Sequence, residues 1–285
     1  MDRFRDELWR ELTPCYSAIL AHPFLAGLVD GSLPSEVFVH YVLQDAHYLR
    51  DYARALAITG AKATDDDSII QFCTDAAEAI TVERSLHEGF IAAFGLKTPN
   101  DLNAPNDLNA PNDLNAPNDL NAPNGLSAPN ELNGQAGEVQ PTTLAYTSYL
   151  LRTAYQGSFA EAVAVVLPCY WIYAQVGEAL LARTRERPSP NPLYQKWIAT
   201  YGGPEFQQTV ERVLATVDRL GLQLSGPERS RFTEHVLVTG KYEWLFWDAA
   251  WRLEHWPVEL SSDPSAPNPG PAETPGTAEL PTKEM

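Results

Sequence analysis

The sequence predicts an all-α fold of about eight helices around one core. Apolar residues recur at three- and four-residue steps over most of the chain. No segment shows sustained apolar–polar alternation bounded by turn signals. The proline that would break helices is concentrated in two stretches: 7 of 23 prolines fall in 99–141 and 6 in 261–285.

Element by element, Phe4, Leu8, Leu12, Tyr16, Ile19 and Leu20 place a helix over 4–20. Val37, Tyr41, Gln44, Asp45, Tyr48, Tyr52 and Leu56 mark the next, with Ser35 after Leu33-Pro34 as its expected N-cap. Further helices fit 66–94, 141–155, 158–185, 190–202, 203–221 and 226–255. The apolar run from Ala160 to Leu181 makes 158–185 the most hydrophobic of them, and Gly202-Gly203 reads as a break between two helices. Helical segments 1–98 and 139–260 are therefore expected to form one domain.

Between the third and fourth of these helices lies a repeat. Asn-Asp-Leu-Asn-Ala-Pro at 100–105 recurs at 106, 112 and 118, then decays through Asn124–Pro129. A proline and two asparagines per copy, with leucine as the sole large apolar residue, cannot build a stacked core. The segment 99–138 reads as a low-complexity insertion, and 261–285 as a disordered Pro-rich tail.

The chain has 285 residues and a formal charge of −17; without 100–138 and 261–285 the remainder carries −8. An acidic body offers no Lys/Arg stripe for phosphates, which argues against nucleic acid and anionic membrane surfaces as partners. The start MDRFRDELW lacks the apolar stretch of a secretory signal, no run of about 18 apolar residues stands out, and a cytoplasmic protein is expected. Cys15, Cys73 and Cys169 are odd in number and widely spaced, which suggests reduced thiols rather than a disulfide frame or zinc site.

Three helices each present a polar group among aromatics. Asp45 and Tyr48 share a face with Tyr41 and Tyr52. Cys169 follows Pro168, whose ring removes a backbone hydrogen bond. Glu243 shares a face with Phe246 and Trp247. Each has a plain structural reading: Asp45 accepting internal hydrogen bonds, Cys169 as packing, Glu243 at the solvent edge of an aromatic seam. Converging, they would make a pocket for a flat polar ring. The six histidines form no HExxH or paired ExxH, so zinc-protease and di-iron sites are not expected.

Phe38-x-x-Tyr41-x-x-Gln44-Asp45-x-x-Tyr48-Leu49, Tyr146-x-x-Tyr149-Leu150, Leu167-Pro168-Cys169-Tyr170-Trp171-x-Tyr173, Pro192-x-Tyr194-x-Lys196-Trp197-Ile198-x-x-Tyr201 and Glu243-x-x-Phe246-Trp247 occur in that order. Together they resemble the TenA, or thiaminase II, family. The insertion departs from the short loop usual there and touches no motif. The resemblance implies a heme-oxygenase-like helical fold, usually tetrameric. It implies a thiamin-salvage hydrolase that converts 4-amino-5-aminomethyl-2-methylpyrimidine to the 5-hydroxymethyl compound plus ammonia, and also cleaves thiamin, with no metal or organic cofactor. By position, Cys169 would be the nucleophile and Glu243 the acid/base. Asp45 would grip the pyrimidine's amino edge, Tyr48, Tyr146 and Tyr201 would hydrogen-bond substrate or catalytic groups, and Phe246 would stack on the ring. A pocket sized for one ring follows, and with it a preference for the aminomethylpyrimidine over thiamin. The alternative is a non-catalytic or oxidase-type binder of a small aromatic or tetrapyrrole on the same fold, with His22 as the one candidate axial ligand.

Overall fold

The computed structural model describes residues 3–94 and 138–258, the stretch 82–94 by its backbone alone. The repeat insertion and the Pro-rich tail lie outside the described residues apart from Glu138. Among the described residues there are nine helices and no strand: α1 (Phe4–Leu20), α2 (Pro23–Asp30), α3 (Ser35–Lys62), α4 (Asp66–Phe94), α5 (Pro141–Gln156), α6 (Phe159–Thr184), α7 (Pro192–Gly202), α8 (Pro204–Gln223) and α9 (Gly226–Trp251). The described residues up to His255 make one compact unit.

The periodicity reading recovers eight of these helices and overlooks α2. That helix spans 8 residues, about two turns, too short for a repeating apolar stripe to register. Its signals are at its ends. His22 caps it by accepting the Phe24 N–H, Pro23 opens it, and Gly31 follows it at φ 79°, a left-handed conformation that favours glycine. Ser35, expected as the cap of α3, is instead its first helical residue; Pro34 holds the cap position, in extended backbone. The proline ring fixes φ, here −58°, and so sets the entry of the chain without a side-chain cap. α9 stops at Trp251, four residues before the expected end.

α6 is the central element. A Ser158–Glu161 capping box begins it: the Ser158 N–H donates to Glu161 Oε2 at 2.8 Å and the Glu161 N–H to Ser158 Oγ at 3.3 Å. Residues Ala162 to Leu167 are wholly buried, and the helix runs unbroken through Pro168. By length and composition α6 could cross a membrane, against the sequence reading, but 78% of its most apolar window is buried inside the bundle. It is apolar all round because neighbours cover it all round.

α3 packs along α4, and α9, α5 and α7 close over α6. The α6–α7 approach depends on Gly177. A Cβ there would stand 2.3 Å from the carbonyl carbon of Tyr201, so only glycine lets α7 lie close enough to fix Tyr201. Between α3, α6, α7 and α9 the core is almost entirely aromatic. Tyr41 stacks on Trp247 at 5.2 Å, and Tyr173 meets the same ring at 5.2 Å.

Candidate active site

A cavity of about 430 Å³ opens beside Cys169, between α3, α4, α6, α7 and α8. Asp45, Tyr52, Cys169, Tyr173 and Tyr201 are among the residues that line it. α3 supplies Asp45 and Tyr52, seven residues and two turns apart on one face; α6 supplies Cys169 and Tyr173, one turn apart. Cys169 is half-buried, and what it leaves uncovered faces this cavity. Asp45 is 3% exposed.

Beside Cys169 lies a buried cluster of Tyr48, Tyr146, Glu243 and Phe246. Glu243 is 1% exposed, not at a solvent edge. The Tyr146 O–H donates to Glu243 Oε1 at 2.5 Å. The Tyr48 ring lies 4.9 Å from that of Tyr146 and 5.6 Å from that of Phe246. The face of Tyr146 is held in turn by Tyr242, stacked at 5.1 Å with an interplanar angle of 7°.

Burial dominates the electrostatics. Desolvation pushes the Glu243 carboxyl up to about 8; the Tyr146 hydroxyl pulls it down and the charge of Asp45 raises it further. Near neutral pH Glu243 therefore holds its proton and can act as an acid. Burial also drives the Cys169 thiol well above its ordinary value. The charge of Glu243 adds to that rise, the Tyr48 hydroxyl opposes it, Asp45 adds to it and Tyr52 opposes it. The two titrations are coupled: while Glu243 is neutral its share of the penalty on a Cys169 thiolate disappears. The Tyr48 hydroxyl makes no hydrogen bond of good geometry, yet it stands near enough to Cys169 and Tyr146 to pull both pKa values down.

The structure thus gathers all seven residues singled out in the sequence. Asp45, Cys169 and Tyr201 border the cavity, and Tyr48, Tyr146, Glu243 and Phe246 lie buried beside Cys169. Sequence reasoning passed over Tyr52 and Tyr173 as site residues, although each stands one turn beyond a residue it chose, Tyr48 and Cys169. It also passed over Asp75, which α4 brings to the same cavity from a segment without any motif. Nor is the pocket confined to one ring: it continues outward to α4 and α8, and its volume lies in the range that encloses drug-sized ligands. His22 is committed elsewhere. Its Nδ1 accepts the Phe24 N–H at 3.2 Å, its Nε2 faces Asp248 at 3.7 Å, and its ring packs edge-on against Trp244 and Trp251. That leaves no nitrogen for a haem iron. Cys15 donates to the Gly240 carbonyl at 3.0 Å, and Cys73 is exposed; all three cysteines are unpaired.

Comparison with known proteins bears on the family and the fold. The chain is 30% identical over 254 residues to the aminopyrimidine aminohydrolase of Bacillus subtilis strain 168, covering 89% of this chain and 92% of that enzyme. Among solved structures, the TenA homologue of P. horikoshii OT3 superposes with a TM-score of 0.66 at 26% identity, covering 88% of this chain and 99% of that one. A domain from Shewanella denitrificans described as having a heme oxygenase-like fold superposes with a TM-score of 0.59 over 89% of this chain and 93% of that one; at 14% identity it bears on fold alone. The architecture is heme-oxygenase-like. The model of the TENA/THI-4/PQQC family matches residues 9–110 and 125–253, and the chain belongs to that family.

Proposed function

We propose that the protein is a thiamin-salvage hydrolase that converts 4-amino-5-aminomethyl-2-methylpyrimidine to the 5-hydroxymethyl compound and ammonia, and that it also cleaves thiamin. The observation that carries this reading is the pairing of Cys169, on a cavity wall, with a buried Glu243 that keeps its proton near neutral pH. The activity named for the B. subtilis relative points the same way.

The methylene carbon of an aminopyrimidine does not release an amine while the ring stays aromatic. In the proposed mechanism Cys169 Sγ adds to the unsubstituted ring carbon next to the one bearing the methylene. The C–S bond forms, the displaced electron pair moves to the adjacent ring nitrogen, and that nitrogen takes up the thiol's proton. The electron-rich ring then expels the amine as the C–N bond breaks, with Glu243 donating a proton to the leaving nitrogen. Water adds to the exocyclic methylene and returns a proton to Glu243. The C–S bond breaks, the ring regains aromaticity and the thiol its proton. One water is consumed and one ammonia released, with no change of oxidation state.

Asp45 accepts N–H bonds from the pyrimidine's amino edge. Tyr48, Tyr146 and Tyr201 orient substrate and Glu243, and Phe246 packs on the ring. A cytosolic location, where three free cysteines stay reduced, and a homotetrameric assembly belong to the same proposal. The test is ammonia release by the purified full chain from the aminomethylpyrimidine. Turnover that Cys169→Ser abolishes is expected; a colourless, well-folded and inactive protein would overturn the reading.

A further inference from the structure

Tyr146 and Glu243 meet where α5 packs on α9, and the seam between these helices is built of rings. Tyr146 is wholly buried, and its hydroxyl reaches Glu243 Oε1 at 2.5 Å. Two rings press on it: Tyr48 of α3, tilted by 37° at 4.9 Å, and Tyr242 of α9, parallel to within 7° at 5.1 Å. An offset parallel pair is a favoured arrangement of aromatic rings. Tyr242 directly precedes Glu243 in the chain, so one stretch of backbone carries both the acid and the ring that covers its donor. It is partly exposed, and the described residues that line the cavity do not include it. Tyr149, one turn beyond Tyr146 on α5, lies 6.0 Å from Tyr242 and is tied to α9 in its own right, its hydroxyl meeting His235 Nδ1 at 2.8 Å. His235 Nε2 faces Glu161 Oε1 at 3.7 Å, and the other oxygen of Glu161 closes the N-terminal cap of α6. The seam thus runs from the start of the helix that bears Cys169 to the acid.

We propose that Tyr242 is a positioning residue for the acid of the reaction: its ring fixes Tyr146 so that the hydroxyl meets Glu243, and it shuts solvent out from that pair without touching substrate. The stack supplies orientation. A Tyr146 ring free to tilt would misalign a hydrogen bond whose strength falls steeply with angle. The shielding acts on the charge. Desolvation is the main cause that keeps the Glu243 carboxyl protonated near neutral pH, so a water path opened at position 242 would favour its ionised form. The titratable groups around Glu243 remain in place when Tyr242 is changed: Asp45, Tyr48 and Tyr52 from α3, Tyr146 from α5, Cys169 and Tyr173 from α6, and Cys15 from α1. The role rests on the function proposed above, in which Glu243 gives a proton to the leaving nitrogen.

The test compares Tyr242→Ala, which removes the ring, with Tyr242→Phe, which keeps it, in the full chain. The pH dependence of kcat and KM for the aminomethylpyrimidine is measured for both. Tyr242→Ala is expected to move the alkaline limb of kcat down by about one pH unit, which is a loss of about fivefold at about pH 8 and almost none at about pH 6, with KM within about twofold of the parent. Tyr242→Phe is expected to follow the parent. Without substrate, the infrared band of the protonated carboxyl, assigned by its loss in Glu243→Gln, should vanish at correspondingly lower pH in Tyr242→Ala. If Tyr242→Ala does not fold, Tyr242→Leu, apolar but without a flat face, takes its place with the same expected shifts. An unmoved limb and band, an equal loss of kcat at every pH, a change in KM alone, a limb in Tyr242→Phe displaced as far as in Tyr242→Ala, or a limb abolished by His235→Gln would overturn the positioning role and leave the proposed function standing. A parent protein inert towards the aminomethylpyrimidine would overturn the function, and the infrared titration would still decide whether Tyr242 shields Glu243.

Discussion

Replacing Glu243 by Gln separates stability from activity. A carboxyl that titrates at about 8 in the folded protein and near its ordinary value of 4.5 when unfolded keeps its proton in one state and loses it in the other. Between these values the unfolded chain binds fewer protons. Stability therefore falls as pH rises, by about 1.4 kcal/mol per pH unit, and levels off once the folded carboxyl itself ionises above about 8. At pH 7 the accumulated cost is about 3 kcal/mol, a large fraction of a typical domain's margin. The glutamine amide would fit the same space, and its carbonyl would accept the Tyr146 hydroxyl, but it cannot titrate. The variant is expected to be more stable than the parent by about 3 kcal/mol at pH 7, with the gap closing towards pH 4.5, while kcat falls by about 100-fold or more. Urea unfolding followed by tryptophan fluorescence at several values between pH 5 and 8, at matched protein concentration, measures the gap. Parallel pH dependence of the two proteins would refute the argument, because it would mean that Glu243 is already ionised in the fold.

Three further outcomes are expected. Cys169→Ser should lower turnover by several orders of magnitude, with Cys15→Ala and Cys73→Ser close to the parent; residual activity of the first above about a tenth would remove Cys169 from the chemistry. Tyr146→Phe deletes the hydrogen bond that pulls the Glu243 pKa down, so the alkaline limb of the kcat profile should move up, by about one pH unit for a charge-assisted bond; an unmoved or lowered limb in the pH–rate profile would contradict this. Replacing 100–138 by about 7 residues should add about 1.5 kcal/mol through a shorter loop closure and leave activity intact, as read by thermal unfolding and ammonia release.

Local spacing alone determined much of this protein. Helical periodicity located eight of nine helices, because the i, i+3, i+4 repeat reports which face of a helix is buried without reference to what buries it. The same repeat grouped Asp45 with Tyr48 and Glu243 with Phe246, and the ordered motifs marked Cys169. Composition separated the repeat and the tail from the helical body. The tertiary structure decided which of those faces meet. Glu243 and Cys169 are 74 residues apart in sequence, and only the packing of α9 against α6 sets the carboxyl near the thiol, excludes water from it and moves its pKa. Asp75 is still less legible. On α4 it shares a face with Phe72, Ala76 and Ala79, but no motif marks it, and it becomes a buried, half-satisfied carboxylate because α8 lies across it with Arg212 and α6 offers Tyr170. Periodicity describes one helix at a time. Desolvation and pairing are properties of several helices together, and they exist only once the bundle has formed.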